Sequence, residues 1–213
     1  MKLALLGATG FVGSALLKEA LDRKHIVTAI VRQPEKLERR EGLIVKVGDD
    51  YDITSLAALI RGNDAVISAF NPGWKDPNLY EDQVRGTASI ITAIKDVGIK
   101  RVLWVGGAGG LEVKPGVRVI DSPEMPSWIK PGSLATMNAL DQLRKEPELD
   151  WSYLSPSVEM KSGVRTGKFR MGVDQLLVDA SGHSTISVQD YAVAMLDELD
   201  HPAHVKQRFT VGY

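Results

Sequence analysis

Three glycines stand in the run Gly7-Ala8-Thr9-Gly10-Phe11-Val12-Gly13, directly after the apolar run Leu3–Leu6 and directly before apolar residues at helical spacing, Val12, Ala15, Leu16 and Ala20. Glycines so placed between a strand and a helix let backbone N–H groups approach an anion, and the positive end of the helix dipole stabilises it. The chemistry this permits is the binding of a dinucleotide pyrophosphate, with the Thr9 hydroxyl as an added donor. A second signal lies at the end of the run Ile26–Val31, where Arg32 follows and neither position 32 nor Gln33 supplies an acid. A carboxylate there receives the ribose hydroxyls of NAD, whereas a guanidinium forks two hydrogen bonds onto a 2′-phosphate, so NADP(H) is expected in preference to NAD(H). Lys36 and Arg39 are further cations nearby in sequence and read equally well as a solvated face.

The remaining reactive side chains form no comparable constellation. With no cysteine, the chain has no disulfide, no thiolate-bound metal and no thiol nucleophile. His25, His183, His201 and His204 are scattered, and no metal site is expected. Asp49 and Asp50 are neighbours, and adjacent positions at a strand end point apart, so they read as a solvated turn and not as a carboxylate pair. Among the tryptophans, Trp104 and Trp151 fall in strand patterns and are expected in the core. Trp74 and Trp128 fall in Pro/Gly-rich segments at the edge where ligands bind, as candidates to stack on a planar substrate. Arg165, Lys168 and Arg170 read as a basic surface hairpin, with contact to a flavin phosphate as the alternative.

The elements that must position these groups follow from periodicity. Strand-length apolar runs occur at Leu3–Leu6, Ile26–Val31, Leu43–Val47, Ala65–Phe70, Arg101–Val105 and Trp151–Leu154, several of them continuous as in strands covered on both faces. Helical spacing separates them, at Val84, Ala88, Ile91 and Ile94 for example, and a last helix is expected over Val188, Tyr191, Ala192, Met195 and Leu199, started by Ser187 and Asp190. The alternation predicts a single α/β domain over residues 1–213, a Rossmann-type doubly wound parallel sheet of about six to seven strands. Two stretches break the rhythm. Gly106 to Gly132, with six glycines and four prolines, is expected to form a cleft wall, and Ser155 to His183 a small C-terminal cap on the substrate side.

Bulk composition narrows the function further. With 213 residues, 44% of them hydrophobic, the chain suffices for one core, and no apolar run reaches the roughly 20 residues of a membrane span. Twenty-six basic against 27 acidic residues leave a net charge of -1, so neither nucleic acid nor an anionic membrane surface is an expected partner. A small-molecule partner is expected, acting in the cytoplasm because a core strand begins at the amino terminus with no leader before it. Both a monomer and a homodimer are compatible with the apolar face Tyr191–Leu199.

The glycine run, Gly106-Gly107-Ala108-Gly109, Tyr153-Leu154-Ser155-Pro156-Ser157, Arg165-Thr166-Gly167-Lys168-Phe169-Arg170, Asp174-Gln175-Leu176-Leu177-Val178-Asp179 and the closing Gln207-Arg208-Phe209-Thr210-Val211-Gly212-Tyr213 together resemble a known group. It is the atypical short-chain dehydrogenase family of NAD(P)H-binding proteins often named NADH-flavin reductases, related to flavin or biliverdin reductase and to NmrA-like proteins. The resemblance spans nearly the whole chain, and its C-terminal motifs are more specific than the widely shared glycine run. It implies that Thr9, Gly10, Phe11 and Val12 meet the pyrophosphate, Arg32 the adenosine phosphate, Asp49 the adenine edge, and Ala69 and Phe70 the nicotinamide-side ribose. Ser155, Pro156 and Ser157 would lie beside the nicotinamide, Gly107 would also bind the cofactor, and FMN or FAD would be a substrate.

The sequence departs from ordinary short-chain dehydrogenases, whose Tyr-x-x-x-Lys pair moves a proton to or from the substrate oxygen. Four residues after Tyr51, Tyr80, Tyr153 and Tyr191 stand Ser55, Val84, Ser157 and Met195, and the helix expected over Ser133 to Lys145 has no tyrosine. Gly107 stands where such enzymes place a serine. A ketone that accepts hydride becomes an alkoxide needing a proton, whereas flavins and quinones take theirs from water. The expectation is therefore an NAD(P)H-dependent reductase of a free flavin or other planar acceptor, with no assigned catalytic residue. The alternative is a non-catalytic NmrA-like redox sensor.

Overall fold

The computed structural model describes residues 1–123 and 125–213; Glu124, inside the expected cleft wall, lies outside the described residues. Five apolar runs become parallel strands, β1 (Lys2–Leu6), β2 (Ile26–Val31), β3 (Leu43–Val47), β4 (Ala65–Ser68) and β5 (Arg101–Val105), with β1 starting one residue earlier and β4 ending two residues sooner than expected. Between them run α1 (Phe11–Asp22), α2 (Ile53–Ile60) and α3 (Leu79–Asp96). The segment after β5 holds a short hairpin, β6 (Glu112–Lys114) with β7 (Val117–Arg118), and then α4 (Lys130–Arg144) and β8 (Asp150–Ser155). The chain closes through β9 (Glu159–Lys161), β10 (Arg170–Gly172), β11 (Thr185–Ser187), α5 (Val188–Asp200) and β12 (Gln207–Gly212).

The main sheet has eight strands in the order β10-β12-β8-β5-β4-β1-β2-β3, parallel except for the antiparallel edge strand β10. This exceeds the six to seven strands expected, because β12 and β10 extend the sheet beyond β8. The register Leu3↔Val27 and Leu3↔Ala65 puts β1 between β2 and β4, so the chain reverses direction of growth at β1 and a crevice opens above the carboxyl ends of these strands. Two apolar layers cover the sheet. One joins Leu3, Leu5, Leu16, Val27, Tyr191, Met195 and Phe209, and the other joins Leu6, Ile60, Ile90, Ile94, Trp104 and Trp151. Trp104 and Trp151 are thus core, as their strand patterns predict.

Segment 155–183 is not set apart from the sheet: β10 is its edge strand, and β9 pairs in parallel with β11. Buried carboxylates tie this part down. Asp190 accepts from the Thr166 hydroxyl at 2.6 Å, the Thr166 and Gly167 N–H groups at 2.8 Å each, and the Tyr213 hydroxyl at 2.7 Å. The apolar face of α5 packs on α1 and the sheet of this same chain. Among the described residues, no helix is long and apolar enough to cross a membrane.

Candidate functional site

The glycine run becomes a cradle through contacts that exclude a side chain. Gly7 has φ +75°, and a Cβ on it would lie 2.3 Å from the Ala69 carbonyl oxygen; a Cβ on Gly13 would lie 2.0 Å from that of Gly7. The first contact draws the β1–α1 turn against the end of β4, and the second seats α1 directly on that turn. Gly10 donates to the Gly7 carbonyl at 3.0 Å and begins α1, and no side chain caps this helix. Its first N–H groups therefore point out of the helix end, at Phe11, Val12 and Gly13, which line the cleft.

That cleft, about 870 Å³, lies in the size range of small-molecule sites and runs along the carboxyl edge from β3 to β8. At the β2/β3 end it is lined by Arg32, Gly48 and Asp50, in the middle by Gly7, Thr9, Gly10, Ala69 and Phe70, and at the far end by Gly107, Pro156 and Ser157. A second cavity of about 200 Å³ opens beside the first, lined by Arg32, Asp49, Asp50, Tyr51, Phe70 and Asp82 among others. The Phe70 ring covers Gly86 of α3 and meets Tyr51 edge-on at 5.7 Å, while the Arg85 guanidinium sits 4.4 Å from the centre of the Tyr51 ring. Arg32 is exposed and makes no hydrogen bond or ion pair among the described residues. An uncapped helix end, a glycine-rich turn and a guanidinium unpaired among the described residues fit the pyrophosphate and adenosine half of a dinucleotide.

The far wall is the segment expected to form it. Gly106 to Gly109, Val113, Val119, Met125, Pro126 and Ile129 line the cleft from one side, and Gly132, Ser133 and Thr136 line it from α4. A Cβ on Gly107 would lie 2.3 Å from the Thr136 hydroxyl, so the β5 turn touches α4 directly. Tyr153 locks this junction from beneath, accepting from the Gly107 N–H at 3.2 Å and donating to the Thr136 carbonyl at 2.8 Å. Its burial pushes the phenol up to about 12, and with its hydroxyl engaged on both sides and outside the cleft lining it serves as a fixed tether. Trp74 and Trp128 meet edge-on at 6.2 Å, both exposed; Trp74 lies on Gly132 and lines the cleft, whereas Trp128, also expected at the substrate, does not line it.

Several sequence-predicted residues fall elsewhere. Ser155 is fully buried, its hydroxyl has no partner and its carbonyl accepts from Thr210, so it does not reach the cleft. Asp49 turns outward and accepts from the Tyr51 N–H; it meets only the smaller cavity, whereas Asp50 lines both. The solvated-turn reading therefore fails for Asp50, which packing of the turn against β2 directs inward. Lys36 and Arg39 line neither cavity. Arg165 pairs with Glu19 at 2.7 Å and Arg170 donates to the Val178 carbonyl, so the basic run does not reach the cleft. His204 is held by Glu198 at 2.8 Å, and no group of three metal-ligating side chains exists among the described residues.

A family model described as NAD(P)H-binding matches residues 7–202, from the first glycine of the cradle to beyond α5. The chain belongs to the NAD(P)H-binding family. This family member is 38% identical over 214 residues to the uncharacterized protein YwnB of Bacillus subtilis (strain 168), covering 99% of this chain and 98% of that one. It superimposes on the structure of a candidate epimerase of Bacteroides thetaiotaomicron with a TM-score of 0.93 at 48% identity, covering 100% and 96% of the two chains. A candidate NADH-flavin reductase of Streptococcus pneumoniae TIGR4 gives a TM-score of 0.86 at 32% identity, covering 100% and 99%. Membership of this oxidoreductase-like group accords with the resemblance drawn from the sequence motifs and with the observed Rossmann-type sheet. A nicotinamide dinucleotide is the cofactor class of this family.

Proposed function

We propose that this NAD(P)H-binding protein is an NADPH-dependent reductase of a free flavin or a similar flat acceptor. One observation carries the reading. Among the described residues lining the large cleft, the only ionisable side chains are Arg32 and Asp50, both at the adenosine end. The half formed by β5, β8 and α4 offers Ser133 and Thr136 hydroxyls, apolar surface and an indole. The α4 positions on the cleft that are four apart are Ile129 with Ser133, the first of these just preceding the helix, and Gly132 with Thr136. None is a tyrosine–lysine pair, and neither hydroxyl is acidic enough to protonate a developing alkoxide.

A nicotinamide held there supplies hydride, and an acceptor that takes its proton from water needs only orientation and the exclusion of solvent. Thr9, Gly10, Phe11, Val12 and Gly13 hold the pyrophosphate, Arg32 the 2′-phosphate, and Ala69, Phe70, Gly107, Pro156 and Ser157 the nicotinamide side. Trp74, with Trp128 edge-on behind it, and the Val113, Met125 and Ile129 wall receive the flat acceptor. The name of the Streptococcus pneumoniae relative supports the flavin.

Purified protein mixed with NADPH and FMN is expected to consume reduced nicotinamide faster than a protein-free control. Trp74→Ala should raise KM for the acceptor several-fold while leaving the Kd for NADPH unchanged. Absence of turnover with flavins and quinones, together with equal affinity for oxidised and reduced cofactor, would reject the reductase in favour of a dinucleotide sensor.

A further inference from the structure

Asp50 follows β3 and lines both the cleft and the smaller cavity beside it, without a hydrogen bond or ion pair among the described residues. Arg32, at the end of the neighbouring β2, lines the same two spaces and is equally free. The Gly48 N–H donates to the Val31 carbonyl at 3.2 Å, which pins the turn carrying Asp50 to the strand carrying Arg32. The two side chains nevertheless form no ion pair, leaving room between them for a third group. The charged neighbours are mostly acidic. Asp49 lies on the same turn, Asp76 on the segment before α3, and Asp82 on α3, its carboxylate held by Arg85 at 2.8 Å; Tyr51 is the remaining titratable neighbour. Arg32 is the only cation lining either space among the described residues. Burial, and then the Asp49 charge, push the Asp50 carboxyl up to about 7 against the opposing pull of Arg32.

We propose that Asp50 is a second selectivity residue of the cofactor site: protonated, it donates to the 2′-phosphate gripped by Arg32 and admits NADPH; ionised, it repels that phosphate and accepts from the 2′-hydroxyl of NADH. The preference between the two cofactors then depends on a single proton. This rests on Arg32 being the phosphate anchor of the proposed reductase. The direction is diagnostic, because the phosphate's own second ionisation near pH 6 strengthens its pairing with Arg32 as pH rises. A loosening with rising pH must come from the protein.

The test is equilibrium binding of NADPH and NADH to wild type, Asp50→Asn and Arg32→Ala at about pH 6 and about pH 8.5, on either side of the shifted titration. Wild type should bind NADPH about tenfold more weakly at the higher pH, a change of ~1.4 kcal/mol, with no loss for NADH. Asp50→Asn should hold NADPH affinity within about twofold across that range. Calorimetry near pH 7 in two buffers of different ionisation enthalpy should show proton uptake on NADPH binding to wild type, and this decides the matter if Asp50→Asn does not fold. Identical pH profiles for wild type and Asp50→Asn, or no proton uptake, would overturn the proposal for Asp50. An Arg32→Ala protein that binds NADPH as wild type does would instead overturn the phosphate anchor on which it rests.

Discussion

At the scale of single residues, the site depends on side chains that are missing or free. Gly13 holds its place because a methyl group there would meet the Gly7 carbonyl oxygen at 2.0 Å, so the closeness of α1 to β1 is written into the residue type. Arg32 works in the opposite way, through a guanidinium with no partner among the described residues. A charge-assisted bidentate contact contributes more than an ordinary hydrogen bond, so Arg32→Ala should weaken NADPH binding about 10- to 100-fold. NADH should change by less than about threefold, since it carries no phosphate for the guanidinium to hold. Paired fluorescence titrations check this, and equal losses for both cofactors would show that Arg32 serves the adenosine in general. Tyr153 illustrates the converse case: it is the tyrosine bonded to the cleft wall, yet its hydroxyl is used on both sides by Gly107 and Thr136.

At the scale of elements, the start of α1 differs from those of α2 and α5 in what satisfies its first N–H groups. The first helix begins at Gly10 with no side-chain cap and opens on the cleft. α2 begins at Asp52, whose carboxylate accepts from the Ser55 N–H at 3.0 Å, and α5 begins at Ser187, whose hydroxyl accepts from the Asp190 N–H at 3.0 Å. A capped end satisfies its own donors, whereas an open one offers them to an anion. Asp52→Ala should therefore lower stability by about 1 kcal/mol, measured by denaturant unfolding, because one helix donor loses its partner. Cofactor affinity should not change, since no residue of α2 lines the cleft; a weakened Kd would mean that α2 positions the neighbouring Asp49–Asp50 turn.

At the scale of the whole molecule, three buried carboxylates brace the C-terminal half: Glu19 and Glu198 join it to the rest through Arg165 and Arg101, and Asp190 joins its own segments. Glu19 of α1 is gripped by Arg165 and Arg23, and these hydrogen bonds, Arg165 first, hold its carboxyl below the usual range. Burial pushes Asp190 and Glu198 upward, but hydrogen bonds from Thr166, Gly167 and Tyr213 to the first, and from His204, Ala203 and Ser152 to the second, more than offset it. A carboxyl held low in the folded state stabilises the fold above its unfolded pKa and loses that contribution as pH falls through the folded value. The contribution of these three groups to thermal stability should accordingly be flat near neutrality and fall as pH drops below about 4.5, their ordinary range, while the raised Asp50 carboxyl adds a separate decline as pH rises towards about 7. Asp190→Ala, which strands the Thr166 and Gly167 N–H groups, should cost about 2 kcal/mol or more at neutral pH and flatten the acid limb. An acid limb unchanged by this substitution would place the weak point elsewhere.

Much of this was legible in the sequence, and the reasons differ by feature. Continuous apolar runs such as Ile26–Val31 and Arg101–Val105 specify strands covered on both faces, and Gly7 and Gly13 specify a turn that no other residue type fits at those two positions. α2 was also readable, since Asp52 precedes Ile53, Leu56, Ala57 and Ile60 at helical spacing; the run is short, and the neighbouring Asp49 and Asp50 suggested only a turn. β12 was harder, because its two apolar residues, Phe209 and Val211, are separated by Thr210 and flanked by Gln207, Arg208 and Gly212, leaving no continuous apolar run. β10 carries almost no apolar signal, being three residues on a sheet edge. The cleft itself was decided by tertiary structure: Trp74 on Gly132, Thr136 against Gly107 and Asp50 facing Arg32 join segments far apart in the chain. Local sequence determined the strands, the cradle and the guanidinium at the end of β2. Packing alone decided which carboxyl faces that guanidinium, because a one-residue choice at the end of β3 depends on how the turn meets β2, β4 and α3.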